Sequence, residues 1–263
     1  MVTFGSIIEL LKAGSEPVVD TVDKLEPGDP ETEVTGIVTA FSASQYVIEQ
    51  AVGLGANLII SHEGIYYSHH DQRDMLRNDP VYQQKNKLIA DSGLGIYRLH
   101  DHVHRYTPDG IMDGLLQALD WQKYVTEHRP AVSILTVPAA EAGEIAEYLK
   151  SRLELSYVRV AGNLSASCIR IGVLVGYRGG GGMAIPLYEQ DALDLVIAGE
   201  GPEWETPEYI RDAVHQGRNK ALIMLGHAES EMPGMKIVAE VLSAQLPGMP
   251  VHFVKEQPVF QIV

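Results

Sequence analysis

Three short aliphatic blocks constrain the architecture most: LIIS at 58–61, LVIA at 195–198 and LIML at 222–225. Runs without polar alternation suit strands buried on both faces, the environment of sheets covered by helices on either side. Each block is followed within two residues by a group that can bind a cation: His62-Glu63, Glu200 and His227. Between the blocks lie longer stretches of helical character, and this alternation predicts an α/β chain. Helices are expected over 1–14, from a Ser42 cap to Leu54, and over 81–91, 112–121, 140–153, 207 onward and 235–246. Strands are expected at 34–41, 56–61, 96–99, 132–137, near 158, and at 169–175, 193–198, 221–225 and 251–254. The four glycines Gly179–Gly182 read as a loop that, with Arg178, could cradle a phosphate through its N–H groups. The similarity of the three strand ends points to two similar α/β units with mixed sheets flanked by helices. A change of composition near His128-Arg129-Pro130 marks the expected boundary: residues 1–128 are expected to form the first unit, with 235–263 packing back on it, and 129–234 the second.

At 263 residues the chain is long enough to bury a sizeable core. No apolar run approaches the ~20 residues that span a bilayer. The start of the chain lacks a signal-peptide pattern, and one cysteine, Cys168, permits neither an intrachain disulfide nor a thiolate zinc site. A cytoplasmic protein is expected, with Cys168 in the core. The net charge of -15, with no basic stripe to offset it, argues against nucleic acid as a partner.

The histidines carry the chemistry. Of ten in the chain, His62, His69, His70, His100, His102 and His104 fall close together in sequence. Functional groups in open α/β sheets gather beyond the carboxyl ends of strands, where His62-Glu63, His100 and His227 are all expected. An extended backbone would put His100, His102 and His104 on one face, whereas a helical turn would pair only His100 with His104. His227 and Glu231, four apart at a helix start, project from one face. Imidazole and carboxylate without sulfur suit Zn, Fe, Mn, Ni or Co, and six such ligands are about right for two ions. The cluster of His69, His70 and Asp71 sits in a polar loop and is a weaker candidate.

Four ordered segments carry a resemblance: GANLIISHEGIYYSH, GIYRLHDHVHRYTPDGIMDGLLQAL, LDLVIAGEG and ALIMLGHAESE. They are similar to the gaDLIIsHHP, iaiYaaHtnlD…gGvndwLa, aDvyiTGE and GHyasE blocks of the Nif-three-like dinuclear metal-binding family. Some members of that family carry the name GTP cyclohydrolase type 2. The resemblance implies the fold of that family and a homohexameric ring. It also implies two divalent metal ions, with His62, His100, His227 and Glu231 on ligand positions. Two positions depart: Glu63 stands where the family has a second histidine, and His104 where it has an aspartate. The sum of four imidazoles and two carboxylates is unchanged, so both are expected as ligands. Glu200 matches the family's TGE glutamate, and it and His102 are candidates for moving protons. The expected function is metal-dependent hydrolysis of a small molecule, a nucleotide or phosphoester. The alternative is a non-enzymatic metal-binding, metal-delivery or regulatory protein, whose ions would be fully ligated rather than left with an open position.

Overall fold

A computed structural model describes residues 1–70 and 72–263. The elements, in chain order, are α1 (Phe4–Lys12), β1 (Ile37–Ala40), α2 (Gln45–Gly53), β2 (Leu58–Ser61), α3 (Pro80–Ser92), β3 (Gly95–Arg98), α4 (Asp101–His104) and α5 (Gly110–Ala118). There follow β4 (Val125–Arg129), β5 (Val132–Glu141), α6 (Ala142–Leu153), β6 (Arg159–Gly162), β7 (Ser167–Leu174) and α7 (Gly181–Gln190). The chain closes with β8 (Leu195–Ala198), α8 (Thr206–His215), β9 (Ala221–Met224), α9 (His227–Gln245) and β10 (Val251–Phe253). It parts into two compact units, Met1–Gly110 with Gly234–Val263, and Ile111–Pro233.

The first unit is a wholly parallel sheet of order β10-β1-β2-β3. Every residue of β1, β2 and β3 is buried, as in strands covered on both faces: β1 and β2 are largely aliphatic, while β3 (GIYR) ends in the buried Arg98. Val38, Ile59 and Ile96 pack with Val47, Ile48 and Ala51 of α2 and Ile89 of α3. The cap of α2 is Ser44, whose hydroxyl accepts from the Val47 N–H. Ser42, the expected cap, instead donates its hydroxyl to Glu256 at 2.8 Å.

Lys85 on α3 lies in this unit almost out of water, 4% exposed, its Nζ donating to the Ile65 carbonyl at 2.6 Å. Burial drives its ammonium down to about 8, against the opposing pull of Glu256. An unfolded lysine titrates near 10.5, so above pH 8 the unfolded chain holds the extra proton and this group's contribution to stability rises with pH. Denaturant midpoints measured from pH 7.5 to pH 9, where unfolded tyrosines remain about nine-tenths protonated, should increase. Lys85→Met should remove that increase, and an unchanged slope in the variant would assign it to other groups.

The second unit is a six-stranded mixed sheet, β4-β5-β7-β8-β9-β6, in which β7, β8 and β9 run parallel and the outer strands antiparallel. Its core joins Val196, Leu222 and Met224 to Ala184, Leu187 and Tyr188 of α7 and Ile210 of α8. Residues 130–131 turn the β4–β5 hairpin. Cys168 is buried in β7, as expected. Two expectations need correction. The glycine run is not a loop ahead of β8: Gly180 caps α7, which begins at Gly181. The last helix starts at His227 rather than near residue 235, and runs through Pro233.

Among the described residues, no helix is long and apolar enough to cross a membrane.

Candidate metal centre

In the first unit, β2 ends at Ser61 and β3 at Arg98, on neighbouring parallel strands, so His62-Glu63 and His100 emerge at the same edge. The backbone beyond β3 winds into the single turn α4. The Asp23 carboxylate holds that turn by accepting the N–H groups of His100 and Asp101 at 2.8 Å and of His102 at 3.0 Å. A helical turn pairs residues four apart. His100 and His104 therefore face the same way, and the His102 ring turns to Asp23, its Nδ1 2.7 Å from Oδ2.

His62, His100 and His104 come together, with one donor atom from each all within 4.8 Å of one another. The His62 and His100 rings stack at 4.6 Å between centroids, and His104 meets them edge-on at 4.9 and 5.1 Å. Each ring is held from behind through Nδ1: His62 by the Leu99 carbonyl at 3.0 Å, His100 by Asp101 at 3.0 Å, and His104 by Asp109 at 2.9 Å. A carbonyl or carboxylate oxygen only accepts, so Nδ1 is the donor nitrogen of each ring, and in the neutral form Nε2 holds the lone pair. This is the arrangement of metal-ligating histidines, whose second nitrogen is fixed by an oxygen. Burial, and then the neighbouring His62 and His104, push the His100 imidazole down to about 4, so it is neutral at pH 7. Burial works to raise Asp101, but the Val22 N–H, His100 and Thr21 outweigh it and bring the carboxyl down to about 2.

Glu63 and His69 form a second group with His100, their donor atoms again within 4.8 Å. Glu63 Oε1 lies 3.6 Å from His100 Nε2, and its Oε2 accepts from Arg98 at 2.7 Å. His69 is thus nearer the centre than its polar loop suggested. The His70 ring lies against it at 5.0 Å, and Asp71 is outside the described residues.

The second unit has its own pair. His227 opens α9, and its Nε2 is 3.3 Å from Glu231 Oε2, one turn along. Glu200, just beyond β8, fixes this ring from behind, Oε2 to Nδ1 at 3.0 Å. Ser230 accepts the Gly176 N–H at 2.9 Å and donates to the His227 carbonyl at 2.8 Å. Gly176 has φ +62°, and a methyl group on it would overlap Glu231 Oε1 and come within 3.3 Å of His227 Nε2. The proposed phosphate cradle is already engaged. The Gly179 N–H donates to the Glu200 carbonyl at 2.9 Å and the Gly181 N–H to Glu205 Oε2 at 2.6 Å.

Asp23, Asp101, Asp109 and Gly176 had no role in the sequence reading. Asp101 and Asp109 sit close to His100 and His104 in sequence, a signal that could have been used. Asp23 and Gly176 carry none.

A family model described as Duf34/NIF3 (NGG1p interacting factor 3) matches residues 22–258. A curated relative from Clostridium perfringens, named "GTP cyclohydrolase 1 type 2 homolog", is 24% identical over 233 residues, covering 83% of this chain and 82% of its own. A solved structure titled "protein ybgI, unknown function" superimposes with a TM-score of 0.76 at 21% identity, covering 98% of this chain and 99% of that one. A Bacillus cereus protein related to NIF3 gives 0.74 at 16% identity, covering 100% and 99%.

Proposed function

The chain belongs to the Duf34/NIF3 family, and from that premise we propose that it is a cytoplasmic, metal-dependent hydrolase acting on a small molecule such as a nucleotide or phosphoester. The observation that carries this is the set of three imidazoles, each fixed through Nδ1 and together offering donor atoms within 4.8 Å of one another. The donor set fits a borderline divalent ion: imidazole nitrogens with a carboxylate alongside. The name of the Clostridium perfringens relative suggests GTP as the first substrate to try.

In this proposal two ions bind. His62, His100 and His104 would hold the first, and Glu63, His227 and Glu231 stand on ligand positions in the family resemblance. Such an ion supplies Lewis acidity, polarising a substrate oxygen and lowering the pKa of water. The chain's own residues set the geometry: Leu99, Asp101 and Asp109 orient the first three rings, and Glu200 orients His227. Glu200, 47% exposed at its side chain, is the better placed of the two proton-handling candidates. His102, 8% exposed, has its Nδ1 on Asp23.

Metal analysis of protein equilibrated with saturating zinc should find two divalent ions per chain. Nucleotide hydrolysis should vanish with chelator and return with Zn or Mn. Metal that stays bound without any chelator-sensitive turnover would favour the metal-storage or regulatory alternative, and absence of bound metal would end both readings. The hexamer implied by the family is checked by light scattering, where a mass near six times 28.8 kDa is expected.

A further inference from the structure

We propose that Arg98 is a tethered cation that competes with a metal ion for Glu63, so that the chain loads its first ion tightly and its second ion weakly. This rests on the metal-binding reading above and concerns only how the second position is filled.

Arg98 ends β3 and is 4% exposed. Its Nη2 donates to Glu63 Oε2 at 2.7 Å and lies 3.0 Å from His69 Nδ1. Its Nη1 donates to the His69 carbonyl at 2.7 Å, and Nε to the His62 carbonyl at 3.4 Å. Glu63, His69 and His100 are the second group of donors in the first unit. A positive charge therefore already sits within hydrogen-bond distance of two of its three members.

That charge is permanent, because a guanidinium does not lose its proton in proteins. It is also buried, and a buried charge is costly unless paired. Glu63 is the carboxylate it is paired with. A metal ion that takes Glu63 must draw it from Arg98 or share it, and must sit a few ångströms from a like charge in a poorly screened site. The first group, which shares His100 with the second, meets a different environment: Leu99, Asp101 and Asp109 hold its rings, two of them through carboxylates that favour a nearby cation.

Calorimetric titration of chelator-stripped, full-length protein with zinc tests this. The wild type should show one tight step, with the second at least about tenfold weaker, about 1.4 kcal/mol. Arg98→Gln keeps hydrogen-bonding capacity and removes the charge, so the second step should tighten about tenfold or more. Arg98→Lys keeps the charge and should leave the gap in place. Thermal melts establish that each variant is folded. Two steps of equal affinity in the wild type overturn the proposal whether or not the variants fold, as does a folded Arg98→Gln chain with an unchanged second step. Zinc that fails to bind the wild type at all would instead overturn the metal-binding reading.

Discussion

Alanine at position 100 is expected to abolish tight binding of a divalent ion while leaving the fold in place. His100 is a neutral imidazole at pH 7, held on Asp101 and stacked on His62. Removing only the outer partner of a metal-bound histidine costs about 10–100-fold in affinity. Removing the ring itself should therefore cost at least about 100-fold, enough to strip the ion during dialysis. His102→Ala provides the contrast. His102 contributes a ring to Asp23 rather than to the three-imidazole group, so its loss should leave metal content within a few-fold of wild type. It should cost about 1–3 kcal/mol of stability by leaving a buried carboxylate short of a donor. Metal content and thermal melting of the two variants should therefore move in opposite ways. Retention of metal by His100→Ala with loss by His102→Ala would reverse the two assignments.

Gly176→Ala should be among the most damaging single substitutions in the second unit. Two effects combine. At φ +62° a residue with a Cβ is strained, at roughly 1–2 kcal/mol. The added methyl also overlaps the Glu231 carboxylate, which is 2% exposed and cannot swing into solvent, and overpacking of this kind adds about 1–3 kcal/mol. Because the carboxylate is displaced from its place 3.3 Å from His227 Nε2, metal binding should weaken as well as stability. Gly217→Ala is the matched control: it has a similar φ of +77° but open space around it, so it should show the strain alone. Denaturant unfolding of both, alongside zinc titration of Gly176→Ala, separates the two contributions. Equal destabilisation in the two variants would show that the contact with Glu231 adds nothing.

Much of the scaffold was legible because the parallel strands at the centre of each sheet are continuous aliphatic runs, and such runs have few alternative uses. LIIS, LVIA and the 221–224 block appear as β2, β8 and β9 with every residue buried. Elements whose stability comes from elsewhere were harder to see. Strand β4 is the polar, largely exposed VTEHR at the sheet edge, held by its hairpin partner rather than by an apolar pattern. Helix α7 begins in glycines and contains Pro186, both local signals against a helix, but it buries Ala184, Leu187 and Tyr188. Tertiary burial outweighs propensity there.

The candidate centre divides the same way. Residue type and position follow from sequence alone: imidazole and carboxylate donors, delivered just beyond the ends of buried parallel strands. The sequence left open whether His100, His102 and His104 would share a face, since HDHVH can be extended or helical. The tertiary structure decides this through Asp23, 77 residues before His100. Its carboxylate gathers three successive N–H groups, closes the backbone into a turn, and takes the His102 ring for itself. The same holds for Glu63 and Arg98, 35 residues apart and joined only because β2 and β3 are neighbours in register. Local pattern specifies which groups reach the sheet edge, and long-range pairing of charges specifies which of them face one another.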